Sequence, residues 1–190
     1  MPNWKPIVGL SFSSEEFDTY CHSLQWNAWR PTFVVLHNTA EPNLANRPNG
    51  LNKNHIDNLV KYYRDDKKWS AGPHLFIDDH KIWVFTSLTV SGVHSPSWNK
   101  FALGIEMLGN YATEDFNTGR GAAVRKNAVA AMATLCAVLG IDPDTMRLHK
   151  EDPNTTHVCP GAKVSKTDVI NEVKQLMMIR HGNEHSLTDQ

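Results

Sequence analysis

Apolar positions along this chain follow two rhythms. Short unbroken runs suit buried strands, and spacings of three and four suit one face of a helix. Ser13 and Glu16 stand at capping-box spacing and predict a first helix over 14–22. The run TFVVLH at 32–37 is β-branched and apolar on both faces, so it predicts a buried central strand. It ends on His37 and gives way to NTAEPNLANRPNG, a loop placed where a site is displayed. Ile56, Leu59, Val60 and Tyr63 recur at helical spacing and predict a second helix over 54–64. Two short strands, 74–77 and 82–85, are joined by DDHK as a hairpin turn. Residues 102–108 predict another buried strand, and 122–139 the longest helix, closed by Gly140 as its C-cap. Residues 146–149 read as a short edge or final strand. Ser165 and Asp168 open a last helix with Val169, Val173 and Met177 on one face.

Helices and strands alternate, with one adjacent pair of strands in a hairpin. That pattern predicts a single α/β (mixed α+β) domain with a central mixed β-sheet flanked by helices. Residues 1–30 read as a helical lead-in, 31–180 as the body of the domain, and 181–190 as a polar, disordered tail. With 190 residues the chain can bury one proper core but not two. The formal net charge is −1, which gives no bulk field toward nucleic acid or an anionic membrane. Neither nucleic acid nor a membrane span is therefore expected, and the protein reads as a monomer. No secretory leader is evident at the N-terminus, so synthesis in the cytoplasm is the expectation.

Candidate chemistry changes this bland picture. Three sparse cysteines, Cys21, Cys136 and Cys159, do not form a disulfide pattern. Of ten histidines, His22, His55, His80, His181 and His185 fall on polar faces, turns or the tail and read as solvated. His37, His74, His94, His149 and His157 fall at strand ends or in loops. His37 alone is as well explained by a core imidazole bonded to a carbonyl as by a ligand. RLHKEDPNTTHVCPG moves that balance, because it gathers His149, His157 and Cys159 within eleven residues. Imidazole nitrogen and thiolate sulfur are what a borderline-soft cation such as Zn²⁺ takes. Glu106 lies inside ALGIEMLG, where an ionised carboxylate is costly to bury without a partner. It reads equally as a solvent-facing carboxylate or as a general base of raised pKa. Cys159 as a nucleophile with a histidine base is a further reading, although Cys-Pro-Gly is a poor setting for an activated thiolate.

Four segments together resemble the type-2 N-acetylmuramoyl-L-alanine amidases, a family that includes T7-type phage lysozymes, muropeptide-recycling amidases and the peptidoglycan recognition proteins. They are VVLHNTA (34–40), GPHLFID (72–78), the pair SGVHS (91–95) and LGIEMLGN (103–110), and HKEDPNTTHVCPG (149–161). The resemblance implies a catalytic domain over 31–180 with zinc held by His37, His149 and Cys159. It implies Glu106 as base and His157 where many members carry a lysine that stabilises the transition state. Substrate contacts would come from His94, His74, Asn38 and Thr39. Pro73 stands where some members have a tyrosine. Trp69, Trp83 and Trp98 could shape the cleft. The partner implied is peptidoglycan or a muropeptide, and the amide cut joins N-acetylmuramic acid to L-alanine. A phage-type lysin, acting on the wall after release or delivery, is the leading expectation. The alternatives are a cytoplasmic recycling amidase and a non-catalytic binding module; members that only bind generally lack the ligating thiolate, which Cys159 supplies here.

Overall fold

The computed structural model describes residues 3–188. Six strands form one sheet in the order β1-β4-β3-β5-β2-β6. They are β1 (Ile7–Phe12), β2 (Phe33–Asn38), β3 (Leu75–Ile77), β4 (Ile82–Thr86), β5 (Ala102–Met107) and β6 (Arg147–Leu148). The helices are α1 (Ser14–Ser23), α2 (Lys53–Lys61), α3 (Gly119–Leu139) and α4 (Lys166–Thr188). β3 and β4 are the expected antiparallel hairpin, while the pairings β3 with β5, β5 with β2 and β2 with β6 are parallel. The mixed sheet and its flanking helices are the architecture that the alternating pattern predicts.

The N-terminal lead-in is not wholly helical. β1 precedes α1 and pairs antiparallel with β4 at the sheet edge, with its register shifting between Ile7 and Leu10. Gly9 sits in that irregularity with a positive φ of 69°, and Leu10 is exposed. A bulge of this kind breaks the alternation by which a strand is read. α1 has its full capping box, with Ser13 Oγ accepting from Glu16 N and Glu16 Oε2 accepting from Ser13 N. α2 stops at Lys61 and passes into a single π-helical turn over Tyr62–Asp66. α4 runs on as helix to Thr188, through most of the segment expected as a tail. Asp189 and Gln190 lie outside the described residues.

α3 is long and apolar enough, by length and composition, to cross a membrane. Here it is the core helix: Val124, Ala128, Ala131, Leu135 and Leu139 are buried, and Gly140 caps it in the left-handed region. Arg120 ties its first turn to Asp79, with Nε 2.6 Å from the carboxylate. α1 and α4 pack beside α3, and these helices close one face of the sheet. On the opposite face Tyr63, in the turn after α2, packs on Phe76 and Phe85. Register places Phe76 beside Glu106 and Glu106 beside His37, so these three share that second face. That face carries the site.

Candidate metal centre and cleft

Two parallel strands supply the floor. His37 and Glu106 are the penultimate residues of β2 and β5 and stand in register. Glu106 Oε1 is 3.8 Å from His37 Nδ1. The His37 side chain is 2% exposed and that of Glu106 14%. Burial lifts the Glu106 carboxyl to about 8, with no compensating cation among the described residues. Burial, with His94, His149 and His157 close by, holds His37 well below the ordinary imidazole range. His37 and Glu106 are therefore a neutral base beside a carboxyl group and do not form an ion pair.

The third wall is the loop from His149 to Gly161, which is tied down at several points. Lys150 N donates to Cys159 O at 2.9 Å, drawing the two ends together. Asp152 is 2% exposed and accepts from Ser95 Oγ and Ser97 Oγ at 2.5 Å each, and from Ser97 N at 3.1 Å. Gly161 turns the chain with φ 106°, and a Cβ there would lie 2.3 Å from the backbone carbon of Tyr111, so only glycine lets the loop settle. The result brings a ring nitrogen of His37, a ring nitrogen of His149 and Cys159 Sγ within 4.8 Å of one another. Tetrahedral nitrogen and sulfur ligands at about 2.0–2.3 Å from zinc are about 3.3–3.8 Å apart, so small rotations suffice to close the set. Asn38 N donates to Cys159 Sγ at 3.2 Å, as it would to a thiolate. Burial and Glu106 nevertheless hold the free thiol well above its ordinary range. A thiol kept protonated is a poor nucleophile, whereas a cation supplies the charge that deprotonates it. The donor set fits zinc.

The five histidines singled out above form one ring-to-ring column running inward from the surface. His157, which is exposed, stacks on His149 at 5.3 Å, and His149 lies 4.3 Å from His37. His37 then meets His94 at 5.1 Å, and His94 meets His74 at 5.8 Å. His94 is 6% exposed, with Nδ1 3.1 Å from His37 Nε2 and Nε2 3.0 Å from Ala102 O. His74 does not reach the cleft, contrary to the expectation that it touches substrate. It is fully buried, with Nε2 donating to Val90 O and Nδ1 accepting from Gly104 N. Both of its polar atoms are used by the backbone.

The column opens into a cleft of about 760 Å³ bordered by His37, Glu106, Tyr63, Trp69, His157 and Cys159. Asn38 and Thr39 also border it, but their side chains brace the loop. Asn38 Nδ2 donates to Gly109 O, and Thr39 Oγ1 donates to Pro42 O while accepting from Gly109 N. Trp69 is a cleft residue, stacked on Tyr63 at 5.3 Å. Trp83 is buried, and Trp98 packs against Phe33 and Arg147. Tyr63 and Asp152 carry more of the site than their sequence setting suggests. Tyr63 follows Leu59 by four and reads only as an apolar helix position, and nothing in sequence separates Asp152 from any loop aspartate.

Residues 27–162 match the family model described as N-acetylmuramoyl-L-alanine amidase. The chain belongs to that family. Peptidoglycan-recognition protein SC2 of Drosophila melanogaster is 23% identical over 145 residues, covering 75% of this chain and 72% of that protein. Among solved structures, the endolysin N-acetylmuramoyl-L-alanine amidase LysCS of Clostridium intestinale superposes with a TM-score of 0.60 at 22% identity, covering 80% of this chain and 92% of that one. A point mutant of Drosophila PGRP-LB in complex with tracheal cytotoxin gives 0.58 at 18% identity over 75% of this chain and 82% of that one. The type-2 amidase and peptidoglycan-recognition fold is thus the fold of this amidase-family chain.

Proposed function

We propose that the protein is a zinc-dependent N-acetylmuramoyl-L-alanine amidase acting on bacterial peptidoglycan as a phage-type lysin. The observation that carries this reading is the convergence of His37, His149 and Cys159 on one point, with the Glu106 carboxyl beside it at the floor of an open cleft. Three protein donors leave a fourth position open, which suits a catalytic site better than a structural one. His37, His149 and Cys159 would hold the ion, which when bound supplies Lewis acidity toward a carbonyl and toward water.

The remaining chemistry falls to the chain's own groups. With a cation beside it, the Glu106 carboxyl, neutral in the metal-free protein, would ionise. Its carboxylate then accepts the proton of the attacking water and passes it to the leaving nitrogen of L-alanine. Its apolar setting raises its proton affinity toward neutrality, as both halves of that transfer require. His157, exposed at the cleft mouth and stacked on His149, presents an imidazole N–H to the carbonyl oxygen as negative charge builds there. Asn38 and Thr39 hold the wall against which the stem peptide lies, and Trp69 with Tyr63 offers an aromatic surface to it.

Digestion of purified sacculi, with mass analysis of the products, tests the reading. Release of stem peptides with a free L-alanine amino terminus is expected, together with loss of release on chelation and its return with Zn²⁺. Bound zinc without release would mark a wall-binding module. Release that survives exhaustive chelation would point to Cys159 as nucleophile. Faster turnover of soluble anhydro-muropeptides than of sacculi would replace the lysin role with recycling.

A further inference from the structure

We infer that His94 is a positioning residue that fixes which nitrogen of His37 carries hydrogen, leaving the lone pair of His37 Nδ1 free for a metal. The inference rests on the metal-centre reading above and concerns how this chain prepares one ligand. Three contacts run in series. Ala102 O has lone pairs only, so the 3.0 Å contact requires a hydrogen on His94 Nε2. A buried imidazole with no carboxylate on its ring nitrogens is neutral and carries one hydrogen, so His94 Nδ1 is an acceptor. The 3.1 Å contact to His37 Nε2 then requires the hydrogen to sit on that nitrogen. His37 Nδ1 is left with a free lone pair on the edge of the ring that faces Glu106. A carbonyl on β5 thus sets the tautomer of a residue on β2 through an intervening ring.

The seat of that ring is built for it. Gly104, two residues after Ala102, lies under His94, and a Cβ there would come within 2.4 Å of His94 Cγ. Asn99 Oδ1 accepts from both His94 N and Ser95 N, at 2.7 and 2.8 Å, fixing the backbone that carries the ring. His74 fills the space beyond, with both its nitrogens bonded to backbone, so His94 has no competing partner on that side. A ligating imidazole usually donates its second N–H to a carboxylate, a carbonyl or water. In this chain another neutral imidazole takes that place, and it works only in the tautomer that Ala102 O imposes.

The test reads hydrogen position directly. Imidazole ¹⁵N NMR of the wild-type protein, kept metal-free by chelation, should show both His37 and His94 as Nε2–H tautomers. His94→Leu removes the acceptor and should give His37 as a mixture, with zinc dissociation constants about 10–100-fold weaker by competition titration. His94→Asn places Oδ1 close to the lost Nδ1 and should recover most of that affinity. Hydrogen on His37 Nδ1 in wild type would overturn the inference, as would an unchanged zinc affinity in His94→Leu. Should the wild type bind no zinc, the metal reading fails, while the tautomers of the metal-free protein still decide this one. Should His94→Leu not fold, the wild-type spectrum and His94→Asn decide it.

Discussion

Glu106 Oε1 and His37 Nδ1 lie 3.8 Å apart because parallel pairing of β2 with β5 sets the two residues side by side at the same end of the sheet. Neither charge of a salt bridge is present between them, since burial drives the carboxyl toward its neutral acid and the imidazole toward its neutral base. The pair is therefore an acid–base group and a ligand donor held at fixed separation by backbone hydrogen bonds, a more rigid support than a loop provides.

Glu106→Gln keeps the shape and removes the proton acceptor. Turnover on sacculi should fall about 10²–10⁴-fold, the usual range for a general base, with bound zinc unchanged. Metal content by atomic emission and the rate of stem-peptide release check the two halves separately. Full activity in this variant would remove Glu106 from the mechanism.

His157 is exposed, and among the described residues it is held through its backbone and its stack on His149. Replacing it with alanine should leave the thermal midpoint and the zinc content as they are. The loss should appear in kcat, about 10²–10³-fold if the N–H meets the developing oxyanion. A change in KM alone would instead make His157 a substrate contact.

Burial of ionisable groups gives the metal-free protein an optimum of stability. His74 and His94 titrate at about 3 and about 4 in the fold because burial disfavours their charged forms, against an ordinary 6.5. Below 6.5 the unfolded chain binds more protons than the folded one, so stability falls as pH drops through that value toward about 4 and about 3. Glu106 acts in the opposite sense: lifted from 4.5 to about 8, it holds a proton in the fold that the unfolded chain has released. Its contribution is lost as pH rises between those values. Above 6.5 the histidine effect is complete, and stability should decline by up to roughly 1.4 kcal/mol per pH unit until about 8. Urea midpoints of chelated protein from about pH 4 to 9 should peak near 6.5, and Glu106→Gln should flatten the alkaline side. A wild-type midpoint that climbs between 6.5 and 8 would contradict the burial of this carboxyl.

Much of this is legible from residues alone, and the limits have physical causes. β2 and β5 are apolar on both faces because both faces are covered, which leaves His37 and Glu106 conspicuous at their ends. The capping box of α1 and the left-handed cap of α3 are local chemistry, and local chemistry is read correctly. β1 is not legible, because an edge strand with a bulge at Gly9 loses the period of two. His74 looks like a site residue for the same reason that His37 does, a polar residue at the end of an apolar run. What separates them is long-range: the N–H of Gly104 and the carbonyl of Val90 claim both nitrogens of His74, whereas His37 Nδ1 stands 3.8 Å from the Glu106 carboxyl and is engaged by no backbone group among the described residues. The 149–161 loop shows its donors but not its fold, since the groups that shape it come from Ser95, Ser97 and Tyr111.

Asp152 is the strongest of those shaping contacts, and its removal gives the sharpest structural test. Its buried carboxylate is opposed by desolvation but favoured more by the hydroxyls of Ser95 and Ser97 and the N–H groups of Asn154 and Ser97, which together hold it at about 2. Asp152 N also donates to His149 O, closing the short turn on which His149 rides. Asp152→Ala should therefore loosen the placement of one ligand without touching any donor atom. Unpartnered Ser95 and the lost charge-assisted bonds should cost roughly 2–4 kcal/mol of stability. Zinc affinity should drop about 10–100-fold, as it does when support for a ligand is removed. Asp152→Asn, which retains one acceptor oxygen, should fall between the two. Linkage gives an independent check: the Asp152 contribution is present above pH 3.8 and lost toward about 2, so wild type and Asp152→Ala should converge in stability at the acid end. Equal zinc affinity and equal midpoints in wild type and Asp152→Ala at neutral pH would mean that the loop holds His149 without this anchor.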